Sequence, residues 1–259
     1  MHYIDMDLGF DVREMFHLHV LRQLTGRLAS RPYAVKGGIC LRFFHRSPRL
    51  SEDMDIDIAP GMPLKTLQNN VNAVLGGQAL AASLRACGVT AVEFTRPKKT
   101  DTTQRWKVGL AVAGGARLST SLEFSRRSAA IHAERGSLNP ELLQKAFVAP
   151  FAVAYYGASE MIRQKIRALA SPSRTAARDL FDLDHLFTHA QLGPETHWQE
   201  VDRPVLEKAL EKVSRFEYAD FRDQVIPYLP GDLQALYKDA SAFKSLREVV
   251  EKHLRGLIQ

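Results

Sequence analysis

The pattern of apolar and polar residues divides the chain into a first part that mixes strands and helices and a second part that is helical. Residues 10–28 carry apolar side chains at helical spacing. A period of two, which is typical of strands, is present in EDMDIDIA (52–59), VTAVEFTR (89–96), QRWKVGLAVA (104–113) and ARLSTSLEFS (116–125). Gly114 and Gly115 lie between the last two segments and predict a hairpin turn.

The remaining segments complete this division. YAVKGGICLRFF (33–44) predicts a strand, a glycine turn and a short helix, and Pro63 opens a helical run that Gly76-Gly77 can interrupt. Residues 126–151 are expected to be irregular with a short helix. Further helices are predicted at 158–170, 175–190, 203–216 and 231–256. We therefore expect an α+β domain at residues 1–150 and a helical domain at residues 151–259.

Composition and charge narrow the class of protein. The 259 residues include 35 lysines and arginines against 29 aspartates and glutamates, which gives a net charge of +6 and suits an anionic partner such as RNA or a nucleotide. Cys40 and Cys87 form neither a metal-ligand spacing nor a disulfide framework. The N-terminal segment does not resemble a signal peptide, and no apolar run approaches a membrane span. A cytoplasmic location is expected.

Three aspartates at alternate positions are the first sign of chemistry. Asp53, Asp55 and Asp57 share one face of the predicted strand 52–59, because residues two apart in a strand point the same way. Bare carboxylates are costly to bury, so this face must be solvated, paired or bound to cations. Asp53 and Asp55 suit a pair of Mg²⁺ ions, whereas Asp57 is expected to pair with a basic residue. An acidic outer face of an edge strand is the alternative interpretation.

Residues just upstream favour a phosphate-bearing ligand. Gly37 and Gly38 let backbone amides approach a phosphate at the start of a helix. Basic residues flank the aspartates and can offset phosphate charge: Lys36, Arg42, Arg46 and Arg49. A plain strand-to-helix turn and a solvated basic surface are the corresponding alternatives.

A third carboxylate is expected on a later strand. In segment 116–125, Glu123 shares a face with Ser119, Ser121 and Ser125, a polar surface with room for metal and nucleotide. Glu93, in segment 89–96, lies in a less polar setting. Glu123 is therefore preferred, with Glu93 as the alternative.

Lys165 is unusual in the predicted helix 158–170. It shares a face with apolar residues, and an ammonium there needs a partner. A nucleotide triphosphate would serve. The alternatives are a side chain that extends to water, or a structural pair with Asp179 or Asp182.

Two motifs together resemble a known family. K-G-G-x-x-L followed by R-x-S-E-D-x-D-x-D is similar to the AbiEii/AbiGii-type nucleotidyltransferases, toxins of bacterial abortive-infection and toxin–antitoxin systems in the polymerase-β-like superfamily. The matching residues are Lys36, Gly37, Gly38, Leu41, Arg49, Ser51, Glu52, Asp53, Asp55 and Asp57. A later segment matches through Lys165, Ala168, Leu169, Arg174, Arg178, Asp179 and Asp182. Ile39 departs from the family, which often has Ser or Thr there, so a hydroxyl contact to phosphate is lost.

The resemblance implies a fold and an activity. The expected fold is α+β, with a polymerase-β-like mixed sheet and flanking helices, followed by a C-terminal helical bundle that closes the nucleotide cleft. The expected reaction is Mg²⁺-dependent transfer of a nucleotide from an NTP. Two ions would be held by Asp53, Asp55 and Glu123, and Lys165 would also serve catalysis. Nucleotide binding is expected at Lys36, Gly37, Gly38, Ser51, Lys165 and Asp182.

The acceptor and partners follow less directly. The relatives make an RNA acceptor the expectation, particularly a tRNA 3′ end, with a protein hydroxyl as the alternative. A non-catalytic nucleotide- or RNA-binding module is the second hypothesis. A separately encoded antitoxin is the expected protein partner.

Overall fold

The chain forms two compact units. The computed structural model describes residues 6–28, 32–95, 97–100, 102–128, 130–173, 176–190 and 201–259. One unit comprises Met1–Phe44 and Ser51–Tyr156, and the other comprises His45–Leu50 and Gly157–Gln259. The division thus lies between residues 156 and 157 rather than between 150 and 151. The short segment 45–50 belongs to the helical unit, which the sequence patterns did not indicate.

A mixed sheet is the centre of the first unit. Within the described residues it has eight strands, in the order β3-β5-β6-β2-β1-β8-β7, with β4 paired to β5. The strands are β1 (Tyr33–Lys36), β2 (Asp53–Ile58), β3 (Val89–Phe94), β4 (Lys98–Lys99), β5 (Thr103–Val112), β6 (Arg117–Ser125), β7 (Glu134–Ser137) and β8 (Ala152–Tyr155). β2 runs antiparallel to β1 and parallel to β6. This arrangement places β2 between two partners, away from the sheet edges.

Helices flank the sheet. They are α1 (Met6–Leu28), α2 (Gly37–Phe44), α3 (Leu64–Leu75), α4 (Gln78–Ala86) and α5 (Pro140–Lys145). α3 and α4 are separate helices because the chain breaks at Gly76 and Gly77, where the sequence allowed a break. The predicted hairpin turn is present, with Gly114 and Gly115 at φ of 94° and 88°, which L-residues rarely adopt.

The second unit is helical. It contains α6 (Ala158–Ala170), α7 (Ala177–His189), α8 (Arg203–Arg215), α9 (Tyr218–Gln224), α10 (Gly231–Leu236) and α11 (Ala240–Ile258). α6 and α11 each contact both α7 and α8. Their apolar stripes meet in a buried core that includes Ile162, Ile166, Leu183, Val213 and Val250. The α+β sheet followed by a helical unit confirms the predicted fold class.

Several elements differ from the sequence-based expectation. β7 lies in the region 126–151 that was predicted to be irregular, and it pairs with β8, a strand just beyond that region for which no element was predicted. β7 is a short polar edge strand, so it has no alternation to detect. α9 had no predicted counterpart. The helix predicted at 231–256 is two helices, because Asp239 accepts a hydrogen bond from the Ser241 amide at 2.8 Å and caps a new helix.

Candidate functional site

Two neighbouring strands bring the predicted carboxylates together. In the parallel pairing of β2 with β6, Asp53 lies opposite Ser121 and Asp55 lies opposite Glu123. Residues opposite one another in a ladder point to the same face of the sheet, so Asp53, Asp55 and Glu123 share one face. The intervening residues are fully buried on the other face: Met54, Ile56, Leu122 and Phe124. We call the shared face of Asp53, Asp55 and Glu123 the acidic face.

Two serines orient Asp53, the most accessible of these carboxylates. The Asp53 side chain is exposed, and its Oδ1 accepts a hydrogen bond from Ser121 Oγ at 2.8 Å. The backbone carbonyl of Asp53 accepts a second bond from Ser51 Oγ at 3.2 Å. Ser51, predicted to bind nucleotide, therefore lies at the entrance to β2, next to the acidic face.

The strand order separates the two candidates for the third carboxylate. Glu123 is on β6, directly beside β2, and its side chain is 13% exposed. Glu93 is on β3, with β5 and β6 between it and β2. Three steps of about 4.8 Å put it roughly 14 Å away along the sheet. Its side chain is 60% exposed and pairs with Arg117. Of the two, the structure brings only Glu123 next to Asp55.

Gly37 lies against the acidic face. Its φ is +69°, and a Cβ atom built at this position would lie 2.7 Å from Asp55 Oδ2. Both the backbone conformation and the close carboxylate exclude a side chain there. Gly37 and Gly38 open α2 immediately after β1. The glycine pair thus brings the backbone amides at the start of a helix beside Asp55, as a phosphate site requires.

Asp57 has a structural environment. It is 3% exposed, and its Oδ2 accepts hydrogen bonds from Ser128 Oγ at 2.8 Å and from Tyr156 Oη at 3.0 Å. Lys36 Nζ lies 2.5 Å from Asp57 Oδ1. The prediction that Asp57 pairs with a basic residue is confirmed. Lys36, predicted to bind nucleotide, is the residue that it pairs with.

A buried histidine of α1 forms a hydrogen bond with β6, one of the strands of the acidic face. His17 Nε2 lies 2.8 Å from Thr120 Oγ1, and that hydroxyl donates to the Glu52 carbonyl at 2.6 Å. Because the Thr120 proton is used, Nε2 of His17 must be the donor in this pair. Burial, and then the charge of Arg13, lower the pKa of His17 to about 3. The neutral imidazole of His17 therefore links α1 to β6 by a hydrogen bond, next to the residue at which β2 begins.

A second cluster of charges lies inside the helical unit. Lys165 Nζ is 2.8 Å from Asp179 Oδ1 and 2.6 Å from Asp182 Oδ2. Arg49 donates from Nε at 2.8 Å and from Nη2 at 2.9 Å to the two oxygens of Asp182. All four side chains are nearly fully buried. We call Arg49, Lys165, Asp179 and Asp182 the buried charge cluster.

Opposite charges in the buried charge cluster stabilise the ionised forms of one another. Burial alone would raise the pKa of Asp182, but the neighbouring Arg49 and Lys165 outweigh it and hold that pKa well below its usual range. Burial would likewise lower the pKa of Lys165, yet Asp179 and Asp182 raise it. This is the structural pairing named above as an alternative for Lys165. Nucleotide binding by Lys165 and Asp182 stays a prediction, and Arg174 lies outside the described residues.

Arg105 is a residue of the acidic face that sequence reasoning did not select. It lies opposite Glu123 on β5, and its Nε donates to Glu123 Oε2 at 2.7 Å. This hydrogen bond raises the pKa of Arg105, and the charges of Asp55 and Asp53 act in the same direction. Alternation in segment 104–113 puts Arg105 and Lys107 on one face. Only the pairing of β5 with β6 identifies that face as the acidic one.

The donor set of the acidic face fits a hard divalent cation. Its carboxylates supply only oxygen, which Mg²⁺ prefers, and Mg²⁺ is commonly held by one or two protein carboxylates with substrate phosphates. Across the described part of the chain, no three His, Cys, Asp or Glu side chains are grouped as a ready-made metal site. Glu123 is engaged by Arg105 instead. Asp53 and Asp55 thus supply carboxylate oxygens on adjacent positions of this face, with Glu123 beside Asp55.

Comparison with known proteins decides the family. The family model described as "Nucleotidyl transferase AbiEii toxin, Type IV TA system" matches residues 19–252. The chain belongs to this family. It is a nucleotidyltransferase of the toxin type, in agreement with the resemblance of its motifs. No curated protein matches the sequence.

Solved structures agree on the fold. MenT4, a nucleotidyltransferase toxin of Mycobacterium tuberculosis, matches with a TM-score of 0.65 at 17% identity, over 96% of this chain and 85% of that one. JHP933 of Helicobacter pylori matches with a TM-score of 0.53 at 20% identity, over 92% and 91%. A putative nucleotidyltransferase from H. pylori gives 0.52 at 20% identity, over 92% and 94%. At these identities the likeness establishes the fold of this AbiEii-family chain.

Among the described residues, every helix is too short or too polar to span a lipid bilayer.

Proposed function

We propose that this AbiEii-family protein transfers a nucleotide from an NTP to RNA in a Mg²⁺-dependent reaction, with the 3′ end of a tRNA as the acceptor. The observation that carries the proposal is the acidic face, where the register of β2 against β6 sets Asp55 beside Glu123. Gly37 lies against the same carboxylate. Oxygen ligands next to a glycine-opened helix suit a metal-bound triphosphate.

The acidic residues would bind the metal and accept a proton. Asp53 and Asp55 would hold the metal, most simply as two ions, and Glu123 would complete the oxygen set. Bound Mg²⁺ would activate the attacking hydroxyl and offset the charge on the triphosphate and on the leaving pyrophosphate. Glu123 would also help to accept the proton of that hydroxyl.

The triphosphate would be bound by backbone amides and nearby side chains. Gly37 and Gly38 would present amides at the start of α2, and Ser51 would add a hydroxyl. Lys36 would contribute charge while it remains close to Asp57.

An RNA acceptor is supported by the charge of the protein. The net charge is +6, and β4 and β5 add exposed cations beside the acidic face. Lys98 lies opposite Arg105 in this pairing, and both Lys98 and Lys107 are exposed. Positive residues at such an edge suit the phosphates of a nucleic acid. The description of the family as a Type IV system supports a separately encoded antitoxin.

The test is incubation with each labelled NTP, Mg²⁺ and total RNA. Wild-type protein should label a small RNA, whereas Asp53→Ala and Asp55→Ala should abolish labelling and keep normal thermal melts. Glu52→Ala is the matched control, because Glu52 pairs with Arg13 rather than facing Asp55, and it should retain transfer. Full activity of either aspartate variant would refute the metal assignment. Label in protein rather than RNA would identify a protein hydroxyl as the acceptor.

A further inference from the structure

Four charged residues form a row across the centre of the sheet. Arg105 lies opposite Glu123, Glu123 lies opposite Asp55, and Asp55 lies opposite Lys36. These four residues come from β5, β6, β2 and β1, and all of them belong to the acidic face. The row thus has two carboxylates in the middle and a cation at each end.

Arg105 holds Glu123 within this row. Both its Nε, at 2.7 Å, and its Nη2 donate to the same oxygen, Glu123 Oε2. The Arg105 side chain is 54% exposed, whereas the Glu123 side chain is 13% exposed. Ion pairs with such an exposed partner contribute little to stability, because water solvates the charges and side-chain entropy opposes the pairing. The contact is therefore one that a competing cation can displace.

We propose that Arg105 is a positioning residue that retains Glu123 when no metal is bound and releases it to the metal ion. This inference rests on the proposed metal site at Asp53, Asp55 and Glu123. The guanidinium is the counter-ion of the acidic face in the metal-free protein. Its competition for Glu123 sets the metal concentration at which the site fills.

Metal binding without nucleotide tests the proposal independently of turnover. Mn²⁺ titrations followed by electron paramagnetic resonance should show Arg105→Gln binding about two- to fivefold more tightly than wild type, which is the range that an exposed ion pair allows. Arg105→Lys keeps the charge and should lie between the two. Thermal melts of these variants should stay close to wild type, since the Arg105 side chain is exposed.

Glu123 decides whether Arg105 acts through this contact. In a Glu123→Gln background, Arg105→Gln should give only the smaller gain that loss of its electrostatic field on the aspartates allows, because the contact that competes with the metal is already absent. Lys107→Gln is the matched control. Lys107 shares the strand and face of Arg105 but lies opposite Ser121 and forms no ion pair among the described residues. Lys107 can affect the metal only through the electrostatic field of its ammonium group. The change in Mn²⁺ affinity caused by Lys107→Gln should therefore be the same with Glu or Gln at position 123.

The possible negative results distinguish the role of Arg105 from the existence of the metal site. An Arg105→Gln gain that is as large in the Glu123→Gln background as in wild type, or weaker binding by Arg105→Gln, would overturn the role of Arg105 and leave the metal site intact. Absence of Mn²⁺ binding in wild type and in every variant would overturn the metal site itself, and the proposed function with it.

Discussion

Phe147 is an aromatic residue at a position that favours glycine. It follows α5 with a φ of 55°, and its amide bonds to the Gln144 carbonyl while the Val148 amide bonds to the Leu143 carbonyl. This pair of bonds is a Schellman motif, which places its C′ residue in the left-handed region. Phe147 is 84% exposed. Neither backbone conformation nor burial therefore explains a phenylalanine here.

Replacement of Phe147 by glycine should stabilise the protein. The left-handed conformation costs an L-residue roughly 1–2 kcal/mol, and the greater freedom of glycine in the unfolded chain returns part of that gain. We expect Phe147→Gly to raise the free energy of unfolding by about 0.5–1 kcal/mol, measured by urea denaturation. Phe147→Ala removes the ring but keeps the Cβ atom, so it should change little. Equal effects of both variants would show that the backbone is not strained.

Asp184 should make the stability of the protein depend on pH. Burial raises the pKa of Asp184 to about 6, and the nearby His189 and His253 only partly oppose this. A folded-state pKa above the unfolded value means that the contribution of Asp184 is present below about pH 4 and is lost as the pH rises to about 6. Asp184→Asn should therefore melt like wild type near pH 4 and at a higher temperature above pH 6. Parallel melting curves at all pH values would contradict this.

At the scale of elements, the register of β2 against β6 decides which carboxylate joins the aspartates. Glu123 lies opposite Asp55, whereas β5 and β6 separate Glu93 from β2. Both glutamates pair with an arginine of another strand: Glu123 with Arg105 of the adjacent β5, and Glu93 with Arg117 of β6, two strands away. They therefore form a matched pair of probes on one sheet.

Glu123→Gln should reduce nucleotide transfer by at least about 100-fold, because it removes a charge expected to bind metal and to accept a proton. Glu93→Gln should remain within about twofold of wild type, as is usual for exposed sites. Initial rates with labelled NTP measure both, and thermal melts check folding. An inactive Glu93→Gln with a normal Glu123→Gln would place the third carboxylate on β3.

At the scale of the whole molecule, residues far apart in sequence form the core of the helical unit. Arg49, from the segment just before β2, makes a two-point contact with Asp182 of α7. Lys165 of α6 contacts the same carboxylate and Asp179. The helical unit is thus completed by a segment that precedes it by more than a hundred residues.

Lys165→Met tests what this cluster does. Methionine suits the apolar face of α6, but the change removes the ammonium that contacts both buried carboxylates. We expect the free energy of unfolding to fall by roughly 3–5 kcal/mol, as for other broken buried pairs. Arg167→Met, at an exposed position of the same helix, should have little effect.

An NTP titration with Mg²⁺ completes this test. If Lys165 also binds triphosphate, its loss should weaken binding by about 1.5–3 kcal/mol, the value of a charge-assisted contact. A large fall in melting temperature with unchanged NTP affinity would assign Lys165 to stability alone.

The sequence by itself determined most of the elements and the faces of their residues. Alternation put Asp53 and Asp55 on one side of β2 and the buried Met54 on the other, and helical spacing put Lys165 on the buried side of α6. These are local properties, because side-chain direction follows from backbone periodicity within one element. The glycine pair and the acidic motif also indicated the family through sequence alone.

Only the tertiary structure decided which residues meet. The choice of Glu123 over Glu93 beside Asp55, the contact of Arg105 with Glu123 and the contact of Arg49 with Asp182 all join distant parts of the chain. A strand pattern states which residues share a face but not which strand lies next to it, or in what register. The choice of neighbouring strand and register depends on packing across the whole sheet. Sequence patterns could therefore identify the candidate acidic residues but not which of them are neighbours in the fold.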